Sequence, residues 1–253
     1  MGEEKRPTEQ SERLGDHLAT MLGRYSNNSV PLKIRKIELM RECGLDVPET
    51  LYVERKEILQ LPAILNDLFK ANPDQPRVLR VACIPNRHTT PVVYVDTAAE
   101  IVSGVAKARE IVAGDTTVTH IMVRPYSGQS NIGRRIVGRF TLLSEWSVPN
   151  DEVLEFYAGA KSASIFERVE AHDPKSVRIV KRVGEFPRNE SRNQYPGCAQ
   201  DYVTISGLLT DRREKMEQVR TILAAKRGVK TNAMEVCFEF YVLGERITFA
   251  DFD

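Results

Sequence analysis

Hydrophobic and polar positions follow two alternating periods along this chain, first mixed helix and strand, then mainly strand. In KIRKIELMREC, Ile34, Ile37 and the Leu39/Met40 pair recur near helical spacing and predict a helix, with Gly44 placed as its C-terminal glycine cap. A short strand over Glu49 to Val53 and a second helix in KEILQLPAILNDLFKAN follow. RVLRVACI has the apolar run of a buried strand, PNRHTTP reads as a loop and VVYV as another strand. Asp96 is then expected to cap a third helix through TAAEIVSGVAKAREIV. Beyond it, THIMVRPY reads as a strand ending at Pro125, followed by the glycine-spaced SGQSNIGRRIVG and by RFTLLSEWS.

The pattern then shifts toward strands in VLEFYA, ASIFERVE and VRIVKRV. EFPRNESRNQYPGCAQ has the polar, Pro/Gly-bearing composition of a long surface loop. DRREKMEQVRTILAAKRG predicts one more helix, closed by Gly228, and MEVCFEFYV and ERITFADFD predict a hairpin through Leu243 and Gly244. Ahead of Pro31, the short stripe of Leu14, Leu18, Met21 and Leu22 reads as an arm with a docking helix. The class this implies is α/β, or more closely α+β.

Composition narrows the picture. With 42% hydrophobic and 28% charged residues, the chain is an ordinary globular protein able to bury a sizeable core. Thirty-six basic side chains against 35 acidic leave a net charge of +1, so no bulk field draws it to nucleic acid or to an anionic membrane. The basic runs GRRIVGR, RIVKR, DRREK and AAKRG read as solvated faces, and nucleic acid is not an expected partner. Four scattered cysteines and four scattered histidines lack the spacing of a zinc site, which leaves reduced thiols. No apolar run approaches the roughly 20 residues of a membrane span, and the polar N-terminus is unlike a signal peptide. The expectation is a cytoplasmic protein without membrane contact.

Three features could carry chemistry. In the last hairpin, Glu239, Asp251 and Asp253 are interleaved with Phe238, Phe240, Phe249 and Phe252. Asp251 and Asp253, two apart, project from one side of a strand, and hairpin pairing can bring Glu239 beside them. Clustered carboxylates repel unless a cation lies among them, and hard oxygen ligands suit Mg²⁺; a solvent-facing acidic hairpin is the other reading. Second, Lys33 and above all Arg80, set within an apolar strand, need an anionic partner, either a phosphate or a carboxylate. Third, in HIMVRPYSG a proline stops a strand ladder and leaves backbone groups that can meet the edge of a flat base, or simply ends a strand.

In their order and spacing these features resemble the ATP-grasp superfamily over residues 31 to 253. LKIRKIELMRECGLDVPETLYV is similar to the family's opening helix, with Lys33 eleven positions before Gly44, and Arg80 falls where a strand contacts ATP phosphates. IMVRPYS occupies the place of the adenine-holding hinge, and Glu239, Asp251 and Asp253 keep separations of twelve and two. The resemblance implies two α+β subdomains enclosing a nucleotide cleft: an arm over 1–28, a small subdomain over 29–120 and a larger one over 121–253. It implies that Lys33 and Arg80 neutralise ATP phosphates, with Arg80 also serving catalysis. It implies too that Met122, Val123, Arg124 and Tyr126 frame adenine and that the three terminal carboxylates hold Mg²⁺.

The implied activity is that of an ATP- and Mg-dependent ligase activating a carboxylate as an acyl phosphate for attack by an amine or other nucleophile. The acceptor is an unidentified small molecule or peptide, and a homo-oligomer is left open. Two departures stand out: ACIPNRHTTP has no glycine where the family covers the phosphates with a glycine-rich loop, and Asp253 stands where ligases commonly show Asn. The start of the match near residue 31 and the arginine on the phosphate strand are similar instead to the nucleotide-binding part of phosphoenolpyruvate synthase and pyruvate-phosphate dikinase. A phosphotransferase, or a nucleotide-binding or interaction protein without turnover, is therefore the alternative.

Overall fold

The computed structural model describes residues 19–87, 90–125, 135–142, 153–157, 166–173, 176–183, 199–243 and 245–253. Residues 19–25 are helical (α1) and lead into α2, Leu32–Glu42. The glycine stop predicted after α2 is present: Gly44 has φ 77° and donates its N–H to Arg41 O. The next strand, β1, spans Leu51–Glu54, and the second predicted helix divides into a 3-10 stretch, Arg55–Gln60, and α3, Leu61–Ala71. Pro62 explains the division, since proline suits a first helical turn and not a helix interior.

β2 (Arg77–Cys83), β3 (Val92–Val95) and β4 (Val118–Pro125) join β1 in an antiparallel sheet of order β1-β4-β2-β3. Its apolar face is covered by α3 and by α4, Ile101–Gly114, whose residues share one core with Val53, Leu79, Val81, Val93, Ile121 and Val123. At Gly104 α4 lies so close to β3 that a Cβ there would stand 2.6 Å from Val95 Cγ2. Asp96 does not cap this helix as expected. A 3-10 turn, Ala98–Glu100, precedes α4, and the bond runs the other way, from the Asp96 backbone N–H to the Glu100 carboxylate.

The second sheet has the order β10-β9-β5-β6-β7-β8, antiparallel throughout. Its strands are β5 (Arg135–Leu142), β6 (Val153–Tyr157), β7 (Phe166–Asp173), β8 (Ser176–Val183), β9 (Val236–Leu243) and β10 (Arg246–Phe252). Helices α5 (Ala199–Thr210) and α6 (Arg213–Arg227) follow β8. α5 is absent from the sequence reading because Val203, Thr204 and Ile205 are β-branched and Gly207 interrupts the pattern. Gly228 ends α6 with φ 67°, as its position predicts.

Phe238, Phe240, Phe249 and Phe252 fill the core beneath β9 and β10 together with Ile37 and Met40 of α2 and Met216 and Val219 of α6. Met21 and Tyr25 of α1 close this core from the side, with the Lys226 ammonium 4.5 Å from the Tyr25 ring centroid. α2 thus packs with the six-stranded sheet, and the 120/121 boundary drawn from the sequence falls inside β4. A bulge between Phe249 and Asp251 shifts the hairpin register, so that Phe249 faces Phe240 while Asp251 faces Glu239. The expected α+β class is the one the chain adopts, and among the described residues no helix is long and apolar enough to cross a membrane.

Candidate functional site

The four-stranded sheet buries one face against α3 and α4, and on the other Ala82 and Met122 join the core of the six-stranded sheet. Leu79, Val81 and Val123 point into the helix-covered core, so by strand alternation Arg80 and Arg124 share the opposite face. Arg80 is opposite Met122, and Arg124 is opposite Val78, which makes the two arginines diagonal neighbours on adjacent strands. Arg124 is 8% exposed; among the described residues its Nε has no hydrogen-bond partner, and Nη2 reaches the Met122 sulfur at 3.8 Å. Burial, with Arg80 adding to it, lowers the Arg124 pKa. Arg80 donates from Nε to Thr90 Oγ1 at 3.1 Å. Among the described residues neither guanidinium has a carboxylate within ion-pair distance.

Helix α2 brings the next two cations. Lys33 and Lys36 are three residues apart, hence on one helical face, and that face is laid along β10. Lys33 Nζ is 3.7 Å from Asp251 Oδ2, and Lys36 Nζ is 3.2 Å from Asp251 Oδ1 and 2.7 Å from Asp253 Oδ1. Lys36 also donates to the Phe252 carbonyl oxygen. Burial and then Arg80 hold the Lys33 ammonium down to about 8, against the opposing pull of Asp251. For Lys36, burial pulls downward, but Asp251 and Asp253 outweigh it and its pKa is raised. No acidic residue lies in the first turn of α2, where lysines oppose the helix dipole unless an anion is near.

The expected convergence of early cations and late acids is therefore present: Lys33 feels Arg80, Asp251, Arg124 and Glu239 together. Glu239 lies beside Asp251 in the hairpin register and beside Arg139 on β5, whose Nε donates to Glu239 Oε1 at 2.8 Å. Asp253, 74% exposed, is held by Lys36. The base-framing stretch is placed differently. β4 is central in its sheet, paired to β1 as far as Val123 and to β2 as far as Pro125, so Met122 and Val123 have no open ladder edge. The edge toward β1 opens only at Arg124, and Tyr126, together with His88 and Thr89 of the glycine-free loop, lies outside the described residues.

Two groups can be tried against this arrangement. A triphosphate fits, because Lys33 shares Asp251 with Lys36 while Arg80 and Arg124 have no carboxylate within ion-pair distance among the described residues, which leaves positive charge in excess. Resident Mg²⁺ on Glu239, Asp251 and Asp253 does not fit, because Arg139 and Lys36 already neutralise all three. Among the described residues no group of three or more His, Cys, Asp or Glu is assembled to hold a metal. The sequence reading missed Lys36 and Arg139 as members of this cluster and expected Arg124 to act through its backbone. Lys36 could have been found from its three-residue spacing to Lys33; Arg139 and Arg124 needed the strand register. A separate shallow pocket of about 220 Å³, lined by Tyr25, Ile34 and Glu38 among others, lies between α1 and α2 and contains none of these cations.

No protein family matches the chain by sequence, and no curated protein matches it. Among solved structures it is similar to D-cycloserine synthetase, with 13% identity and a TM-score of 0.48 over 96% of this chain and 71% of that one. D-alanine-D-alanine ligase from Helicobacter pylori gives 11% and 0.45 over 87% of this chain. The biotin carboxylase domain of 2-oxoglutarate carboxylase from Hydrogenobacter thermophilus, in complex with MgADP, gives 10% and 0.46, also over 87%. The chain spans 53% of the Helicobacter ligase and 39% of the biotin carboxylase domain.

Proposed function

We propose that this chain binds ATP with its triphosphate against Lys33, Arg80 and Arg124, and that it is a ligase-type enzyme activating a carboxylate as an acyl phosphate. The observation that carries this reading is the pair of diagonal arginines on the face of the four-stranded sheet turned away from α3 and α4, near Lys33 and without carboxylate partners among the described residues. Phosphoryl transfer is mainly positioning and charge neutralisation, which fixed cations in a partly desolvated site supply. A substrate carboxylate oxygen bonds to the γ-phosphorus as the bond to the β,γ-bridging oxygen breaks and ADP leaves. An amine or other nucleophile then attacks the acyl carbon and expels phosphate, and the surplus proton passes to solvent. The sequence resemblance to ATP-grasp enzymes supports the same chemistry.

Calorimetric titration with ATP, GTP and AMP tests it. ATP is expected to bind, and Arg80→Ala to weaken binding by about 1.5–3 kcal/mol, roughly 10- to 150-fold in Kd. Equal affinity of wild type and R80A would sink the assignment. A second reading, nucleotide binding without turnover, is favoured by one observation: Arg139 and Lys36 occupy the carboxylates on which a catalytic metal would rest. ADP formation with a panel of amino acids and other carboxylates separates the two, since turnover with any of them excludes the second.

A further inference from the structure

The three terminal carboxylates meet a cation that the chain itself supplies. The ammonium of Lys36 is held by three oxygens from three successive residues: Asp251 Oδ1 at 3.2 Å, the Phe252 carbonyl, and Asp253 Oδ1 at 2.7 Å. An ammonium has three donors; two serve hydrogen bonds to the Phe252 carbonyl and Asp253 Oδ1, and Asp251 adds an ion pair. The side chain is only 12% exposed, and its aliphatic stem and charge lie against the Phe252 ring, with Nζ 5.2 Å from the ring centroid. Both ends of the grip are rigid, because α2 packs on β10 through the core and Asp253 exchanges two backbone hydrogen bonds with Cys237 on β9.

Glu239 is withdrawn in a different way. Arg139 sits directly opposite it on β5 and engages Oε1 through Nε and Nη2. A divalent ion drawing on Asp251 and Asp253 would need oxygen ligands at about 2.1 Å, the space that the Lys36 ammonium fills. It would also stand within a few ångströms of two lysines and an arginine, where like charge is strongly disfavoured in a partly desolvated site.

We propose that Lys36 stands in for a resident metal ion, so that nucleotide binds this site through protein cations alone, with no divalent cation on Glu239, Asp251 and Asp253. The nucleotide half of this statement rests on the reading under Proposed function; the metal half does not.

Two measurements on the full chain keep the halves apart. In the first, Mn²⁺ alone is titrated into the protein and the free-ion signal followed by electron paramagnetic resonance. Wild type is expected to leave the signal unchanged, and Lys36→Gln to quench it by removing the ammonium that bridges Asp251 and Asp253. Quenching by wild type that disappears in Asp251→Asn would overturn the proposal, as would a folded K36Q that binds no Mn²⁺. In the second, ATP affinity is compared in Mg²⁺ and in excess EDTA. Wild type is expected to agree within about threefold between the two, and a loss of about tenfold or more in EDTA would overturn the proposal. If ATP binds in neither condition, the nucleotide reading fails and the Mn²⁺ titrations still decide the role of Lys36. If K36Q proves unfolded by circular dichroism, the wild-type comparison of Mg²⁺ with EDTA decides.

Discussion

The two sheets bring opposite charges to the site, and they differ in how far those charges are answered. On the six-stranded sheet, Glu239, Asp251 and Asp253 each have a cation within ion-pair distance. On the four-stranded sheet, Arg80 and the more deeply buried Arg124 have no carboxylate within that distance among the described residues. The deficit is thus of negative charge and lies on one side. An unpaired buried guanidinium costs stability, and an anionic ligand of the kind proposed above would offset that cost.

Several substitutions break or sharpen this contrast. The largest effect removes the support beneath the acidic side: Phe249→Ala deletes a fully buried ring and is expected to cost about 3–5 kcal/mol in urea unfolding. Next, Arg124→Met should separate stability from function. Replacing an unpaired buried charge by an apolar chain is expected to raise unfolding stability by about 1–2 kcal/mol while weakening ATP binding. A midpoint that falls instead would mean that Arg124 has an internal partner and that the contrast is overstated.

A pH series sharpens the comparison further. Lys33 titrates at about 8 in the free protein, and a bound phosphate raises that value. ATP affinity should hold near pH 7 and fall about five- to tenfold by pH 9, because binding then requires uptake of a proton. Lys33→Arg should flatten the profile, and calorimetry in buffers of different ionisation enthalpy should detect the proton. The smallest effect belongs to the acidic side: Arg139→Met breaks a pair whose members are 38% and 36% exposed, so thermal unfolding should shift by less than about 1 kcal/mol.

What the sequence revealed follows from the range over which each interaction acts. Gly44 and Gly228 announced their helix ends because a left-handed residue is a local requirement. Glu239 opposite Asp251 was foreseeable because a hairpin pairs nearby residues, and Lys33 and Arg80 because charge in an apolar setting demands an answer. Arg124 was legible as a position and not as a role. Its alternation with Val123 was visible, but placing it beside Arg80 requires the β2–β4 register, set by residues some forty positions apart. Arg139 and Glu239 are a hundred positions apart, and the choice of carboxylate partner was settled across that distance. α5 escaped because its β-branched residues favour a strand and only packing on the second core makes it helical.

The irregularity between Phe249 and Asp251 has a wider reach than its size suggests. In a regular strand, residues three apart point to opposite sides, yet Phe249 and Phe252 both enter the same core. Ala250 is the surplus residue that permits this. A strand that ran on regularly through Ala250 would have to drive either an aspartate into the phenylalanine layer or an aromatic ring out among the lysines. The bulge at Ala250 therefore lets one short stretch of chain send two rings to the core and still hold Asp251 against Lys33 and Lys36.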